Sequence, residues 1–154
     1  MKRQELSDAL KEAMKARDTR ATTTLRMVLA KIKDKDIEAR LADNHDGIDD
    51  TAVLALLQGM IKQRRESIAL YQQGNRPDLV DQESAEIALI ERFLPAQLDA
   101  DAAKAAVHAL IQEIGATGIK DMGRTMAALK ERFAGQMDFT KASALVKEAL
   151  AGTA

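Results

Sequence analysis

Apolar residues recur at steps of three and four along most of this chain, and this spacing constrains the fold more than any other feature. The clearest run places apolar side chains on one face of a helix and comprises Ile119, Met122, Met126, Leu129 and Phe133. Helix breakers are rare, because the 154 residues include eight Gly and two Pro. With one Tyr, three Phe and no Trp, the chain also has few of the side chains that favour strands. The sequence therefore predicts an all-α protein.

Capping and helix-breaking residues divide this pattern into seven predicted helices and no strand. The signals are N-cap oxygens, one Pro at a first helical position and Gly stops, namely Asp18 or Thr19, Asp50 or Thr51, Gly74, Pro77, Asp99, Gly115 and Asp138. Pro95, which follows the apolar pair Phe93-Leu94, is interpreted as the joint between two parts. We expect residues 1–94 to form an N-terminal four-helix domain and residues 95–154 to form a small C-terminal three-helix domain.

The composition excludes several classes of chemistry. The chain has no Cys, which removes thiol nucleophiles, Cys-based metal sites and disulfides. A net charge of −1 argues against a globally basic nucleic-acid-binding surface, although a local patch stays open. No apolar run approaches about 18 residues, and the start Met-Lys-Arg-Gln-Glu-Leu lacks the apolar core of a signal peptide. These features predict a cytoplasmic protein with no membrane segment.

Two motifs suggest ligand sites but fail on their context. An EF-hand loop centred on Gly47 would need acids at its first and twelfth positions, where Ala42 and Val53 stand. Residues 118–125 have phosphate-loop spacing, but no predicted strand precedes them. Gly123 is interpreted instead as a residue that lets a neighbouring helix approach closely. Because no Ser has a His at helical reach, we assign no catalytic residue, and we assign no metal and no cofactor.

Charge is distributed in blocks, although it nearly cancels overall. Residues 1–40 carry 11 basic and 7 acidic side chains, and residues 62–76 carry four basic and one acidic. Three basic residues of the first block recur every seven positions and so line one face of the second helix. The candidate nucleic-acid-binding residues of the two blocks are Arg26, Lys33, Arg40, Lys62, Arg65 and Arg76.

Two interpretations of these cations stay open. They could contact RNA phosphates, each contact adding a salt-dependent attraction. Alternatively, they form a solvated surface with ion pairs inside each helix. No aromatic residue is interleaved with them, so bases have no stacking platform. The carboxylates of Glu83, Glu86 and Glu91 are expected to face solvent.

Several segments of the chain resemble the GatB/YqeY family, in order along nearly its whole length. The most specific segment is 83–98, which contains Phe93-Leu94-Pro95-Ala96-Gln97-Leu98. The other matching segments are 24–33, 61–68, 74–79, 115–116, 120–123 and 145–148.

This resemblance implies an all-helical protein similar to the C-terminal helical and tail portion of the B subunit of glutamine-dependent tRNA amidotransferase. In that enzyme the corresponding portion helps to hold tRNA, and the chemistry takes place elsewhere. The resemblance therefore implies a non-catalytic tRNA-binding or accessory module, with tRNA or a tRNA-charging or amidotransferase enzyme as partner. Any carbon–nitrogen ligase activity with glutamine as amido-N-donor would belong to a complex.

A different class of function stays open beside this one. The apolar stripe of the C-terminal helices could serve a protein-interaction module with no nucleic-acid role. The turn at residues 135–138, Gly-Gln-Met-Asp, is less basic than in many family members, which argues against RNA contact at this turn.

Overall fold

The computed structural model describes residues 1–152, and every regular element within them is helical, which confirms the all-α class. The elements are α1 (Lys2–Lys15), α2 (Thr19–Leu41), α3 (Asp50–Gln73), α4 (Pro77–Glu91), α5 (Ala100–Ile114), α6 (Met122–Arg132) and α7 (Phe139–Gly152), with a short 3-10 helix at Ile119–Asp121. The chain divides into two compact units, Met1–Leu94 and Pro95–Ala154. The first unit contains α1 to α4, and the second contains α5 to α7.

Short acidic side chains begin several of these helices. Asp18 accepts a hydrogen bond from the Ala21 backbone N–H at 3.1 Å, and Asp99 accepts one from Ala102 at 2.7 Å. The third helix begins at Asp50, one of the two predicted starts, with Asp49 as its N-cap. Three consecutive residues there carry a capping oxygen, so the sequence pattern alone could not single one out.

The first unit has a core drawn from all four of its helices. α3 packs along α4, and α1 packs along α2. The almost completely buried apolar side chains include Leu6, Leu25, Val28, Val53, Leu57 and Ile90. This packing fixes which faces of α2 and α3 are left to solvent.

The second unit has its own core, formed by α5, α6 and α7. Its most deeply buried side chains are Val107, Leu110, Leu129, Val146 and Leu150. The apolar stripe predicted between 119 and 133 contributes to this core through Leu129, with Met122, Met126 and Phe133 packed partly buried against it. Ile119, at the start of the stripe, is 49% exposed.

The interpretation of Gly123 as a site of close helix approach is wrong. The residue lies in the first turn of α6, and an added Cβ would meet no atom within 4 Å. The segment 118–125 passes from an extended residue through the 3-10 helix into α6, without the strand that a phosphate loop requires. Gly123 therefore faces solvent, and no neighbouring helix packs closely against it.

Candidate nucleic-acid interface

Arg26, Lys33 and Arg40 form a row on the solvent side of α2, which we call the α2 stripe. Residues seven apart on a helix are separated by about 10.5 Å along the axis, with an angular drift of about 20°. The stripe lies roughly 120–160° around the helix from the buried Val28. All three side chains are exposed. The row could therefore face a single elongated partner.

Two of these three cations are unpaired in the described part of the chain. Among residues 1–152, no hydrogen bond or ion pair engages the side chain of Arg26 or Lys33. Arg40 lies close enough to Asp36 to contribute to the lowered pKa of that carboxyl. The main cause of the lowered pKa is a hydrogen bond from Arg3 instead.

Asp36 is engaged by a clamp formed by the Arg3 side chain and the Ile48 backbone. The Arg3 guanidinium donates to both carboxylate oxygens, at 2.7 and 2.5 Å, and also to the Ile48 carbonyl at 2.7 Å. The Ile48 backbone N–H donates to Asp36 Oδ1 at 2.9 Å. The Asp36 carboxylate is thus engaged mainly by Arg3, which lies outside the stripe.

The second predicted group, Lys62, Arg65 and Arg76, is divided by the structure. Arg65 pairs with Glu91 at 3.1 Å, and Arg76 holds both oxygens of Asp78 at 3.1 and 3.0 Å. Lys62 is exposed, and in the described part of the chain nothing pairs with it. The Asp78 carboxylate raises the pKa of Arg76, as expected for an engaged guanidinium. Of the three, Lys62 is the one whose charge is available to a partner.

Sequence reasoning missed Arg64, the one Lys or Arg that is buried in the described part of the chain, at 7% exposure. Its Nε donates to Glu86 Oε2 at 3.0 Å, and its Nη1 donates to the Met60 carbonyl at 3.3 Å. Its Nη2 lies 3.0 Å from Met27 Sδ. These bonds connect α2, α3 and α4, and we call the group, together with Glu83, the Arg64 cluster.

The expectation that Glu86 faces solvent is wrong, since this side chain is 9% exposed. Glu86 precedes the buried Ile87, and Arg64 falls three and four residues after the buried Ile61 and Met60. Both residues therefore lie within apolar stripes, and this position was the available signal. A buried carboxylate needs a partner, and an arginine on the facing helix supplies one.

Glu83 completes the cluster at its edge. Its carboxylate lies 3.9 Å from Arg64 Nε. Burial raises the pKa of Glu83, and the charge of Glu86 adds to this, while Arg64 opposes both. The cluster joins helices by ionic hydrogen bonds and offers a structural link rather than a binding surface.

Within residues 1–152, no three His, Asp or Glu side chains converge as metal ligands do. Over the same range, no helix is both long enough and apolar enough to cross a membrane.

Comparison with known proteins gives the family. The sequence profile of the Yqey-like protein family matches residues 3–150. The chain belongs to this family. The resemblance drawn from segments 24–33 and 83–98 is thereby confirmed, and the YqeY-like assignment covers both compact units.

Curated relatives of this YqeY-like chain come from yeasts and related fungi. The protein named "Altered inheritance of mitochondria protein 41, mitochondrial" from Eremothecium gossypii is 33% identical over 149 residues, 95% of this chain and 79% of the relative. Proteins of the same name from Lachancea thermotolerans and Kluyveromyces lactis are 39% and 36% identical, over 58% and 57% of this chain. In those two, the match spans only 46% and 45% of the relative's length.

These names contradict the expected cytoplasmic location. The relatives, at 33–39% identity, are named as mitochondrial proteins. The composition and helical pattern on which that expectation was based are not specific to one compartment.

Proposed function

We propose that this YqeY-like protein is a non-catalytic accessory module that binds tRNA through the α2 stripe. The observation that carries the proposal is the row of exposed cations at seven-residue spacing, with the carboxylate of Asp36, on the same helix, engaged by Arg3. Lys62 on α3 supplies a further unpaired cation. Together they offer positive charge that the fold itself does not neutralise.

The chemistry of this surface favours recognition of the phosphate backbone. A protein that neutralises phosphates releases condensed counterions. The logarithm of its binding constant therefore falls linearly with the logarithm of the salt concentration. Double-helical RNA is recognised mostly through its shape, its phosphates and its 2′-hydroxyls. No aromatic side chain interrupts the stripe, which excludes base stacking as the main contribution there.

The family resemblance suggests the setting in which such a module works. We propose that it assists a tRNA-charging or amidotransferase enzyme and that any carbon–nitrogen ligase activity belongs to that complex. We also propose that residues 1–94 and 95–154 act as separate domains. The separate apolar cores of the two units support this division.

A mobility-shift titration with unmodified tRNA tests the proposal. The variant Arg26→Ala/Lys33→Ala/Arg40→Ala should bind more weakly than the wild type at low salt, with a shallower salt dependence. The matched control is Lys104→Ala/Lys130→Ala/Lys147→Ala, which removes the same charge from exposed positions outside the stripe that are unpaired in the described part of the chain. Equal weakening by both variants would point to non-specific attraction instead of a defined surface.

A protein-interaction module with no nucleic-acid role is the second candidate, and exposed apolar residues on α2 favour it. Ile37 is 52% exposed and Leu41 is 88% exposed, one helical turn apart. A protein partner captured by the wild type in a pull-down should then stay bound after ribonuclease treatment. The variant Ile37→Ser/Leu41→Ser should no longer capture this partner. Unchanged capture by this variant, with loss of capture after ribonuclease, would favour tRNA binding.

A further inference from the structure

The turn between α1 and α2 holds an arginine in a backbone conformation that arginine rarely adopts. Arg17 has a φ of 56°, in the left-handed region. The other non-glycine residues with positive φ are Asp43 and Asn75, two residue types that tolerate this region better. Arg17 is therefore the unusual member of the set.

Each of these residues lies inside the same kind of helix-ending hydrogen bond, in which the backbone N–H of the next residue donates to the carbonyl five positions before it. The backbone N–H of Asp18 donates to the Ala13 carbonyl at 3.0 Å, as Arg76 does to Tyr71 at 2.9 Å. In this motif the left-handed position is most often Gly, because Gly has no Cβ to strain the backbone. Considered by its backbone alone, position 17 would favour Gly.

Nothing in the fold accounts for a charged side chain at this position. Arg17 is exposed, and its guanidinium makes no hydrogen bond or ion pair with any described residue. Arg20, in the first turn of α2, is likewise exposed and unpaired within the described range. The acid between them, Asp18, is engaged by the Ala21 backbone N–H. The turn thus presents two cations that have no partner among residues 1–152.

We propose that Arg17 and Arg20 form a second phosphate-contacting element for the same RNA, beyond the N-terminal end of the α2 stripe. This inference rests on the proposed tRNA binding and extends its footprint. Arg20 precedes Arg26 by about 9 Å along the helix axis, and Arg20 to Arg40 spans about 30 Å. Arg20 lies about 120° around α2 from Arg26, so the RNA would pass over the end of the helix. A structural strain retained beside a free charge is the pattern expected of a functional residue.

Two measurements on the variant Arg17→Gly separate a functional from a structural role. Relief of the left-handed strain should raise the melting temperature by about 2–4 °C. Loss of one phosphate contact should at the same time reduce the magnitude of the log–log salt slope of tRNA binding by about one. Arg17→Gly/Arg20→Ala should reduce that slope by about two.

Asn75→Gly is the matched control, because it changes a residue of nearly the same conformation, with a φ of 55°, without changing charge. It should leave tRNA binding as in the wild type. If Arg17→Gly/Arg20→Ala binds tRNA with the wild-type slope while the α2 stripe variant is impaired, the inference is overturned and the proposed function stands. A lower melting temperature for Arg17→Gly would also overturn it, since the fold would then need the side chain. Absence of wild-type binding at low salt would overturn both proposals.

Discussion

Arg64 Nε lies 3.0 Å from Glu86 Oε2, and both side chains are almost completely buried between helices of the first unit. Burial of an ion pair costs the hydration free energy of both charges, and further hydrogen bonds are needed to offset this cost. Arg64 makes such bonds to the Met60 carbonyl and to Met27 Sδ. Without Arg64, Glu86 would be a buried carboxylate that has lost its ion pair, and without Glu86, Arg64 would keep only the more distant Glu83 carboxylate, at 3.9 Å. We expect the pair to favour one register of α3 against α4.

We expect Glu86→Ala to destabilise the first unit by about 3–5 kcal/mol, the usual cost of leaving a buried charge unpaired. The double variant Arg64→Met/Glu86→Leu should recover most of this loss, because it removes both charges together. Urea unfolding followed by fluorescence of Tyr71, the single tyrosine, reports on this unit. Equal destabilisation by the single and double variants would contradict the account.

Glu83 gives a prediction about pH. Because burial raises its pKa in the folded state, the folded protein holds this proton more tightly than the unfolded chain does. Ionised Glu83 therefore lowers stability above the raised folded-state pKa. Glu83→Gln should be more stable than the wild type at pH 7, and the difference should shrink as the pH falls towards about 4. Unfolding curves at the two pH values check this, and a less stable Glu83→Gln at pH 7 would refute it.

Asp36 behaves in the opposite way. The Arg3 hydrogen bond lowers the pKa of Asp36, so its stabilising effect is complete above the unfolded pKa of about 4 and is lost as the pH falls through the lower folded value. Asp36→Asn should cost about 1–2 kcal/mol at pH 7. The difference in free energy of unfolding between Asp36→Asn and the wild type should diminish in acid. Asp34→Asn, at an exposed position on the same helix, is the control and should change stability little.

The three cations Lys62, Arg65 and Arg76 should contribute unequally to RNA binding. Lys62→Ala should reduce the magnitude of the salt slope by about one. Arg65→Ala and Arg76→Ala should reduce it less, because Glu91 and Asp78 already engage these side chains. Filter binding of tRNA over a range of salt concentrations measures all three, and equal losses would mean that the surface pairs open readily on binding.

Local signals were enough to predict the helices and several of their ends. Asp18, Asp99 and Pro77 act through hydrogen bonds or φ values within a few residues, and such effects are visible in the sequence. The Arg64–Glu86 pair and the Arg3–Asp36 clamp join residues 22 and 33 positions apart. Which helix faces meet depends on packing between helices, so charge blocks alone could not separate engaged cations from free ones.

The salt dependence of tRNA binding tests the central claim most directly. Binding constants of the wild type and of Arg26→Ala/Lys33→Ala/Arg40→Ala would be measured from about 50 to 200 mM salt, the range over which phosphate contacts change affinity strongly. We predict a linear log–log plot for the wild type and a slope smaller in magnitude by about three for the variant. Identical slopes for the two proteins, or no wild-type binding at the lowest salt, would contradict the assignment of the α2 stripe as an RNA-binding surface.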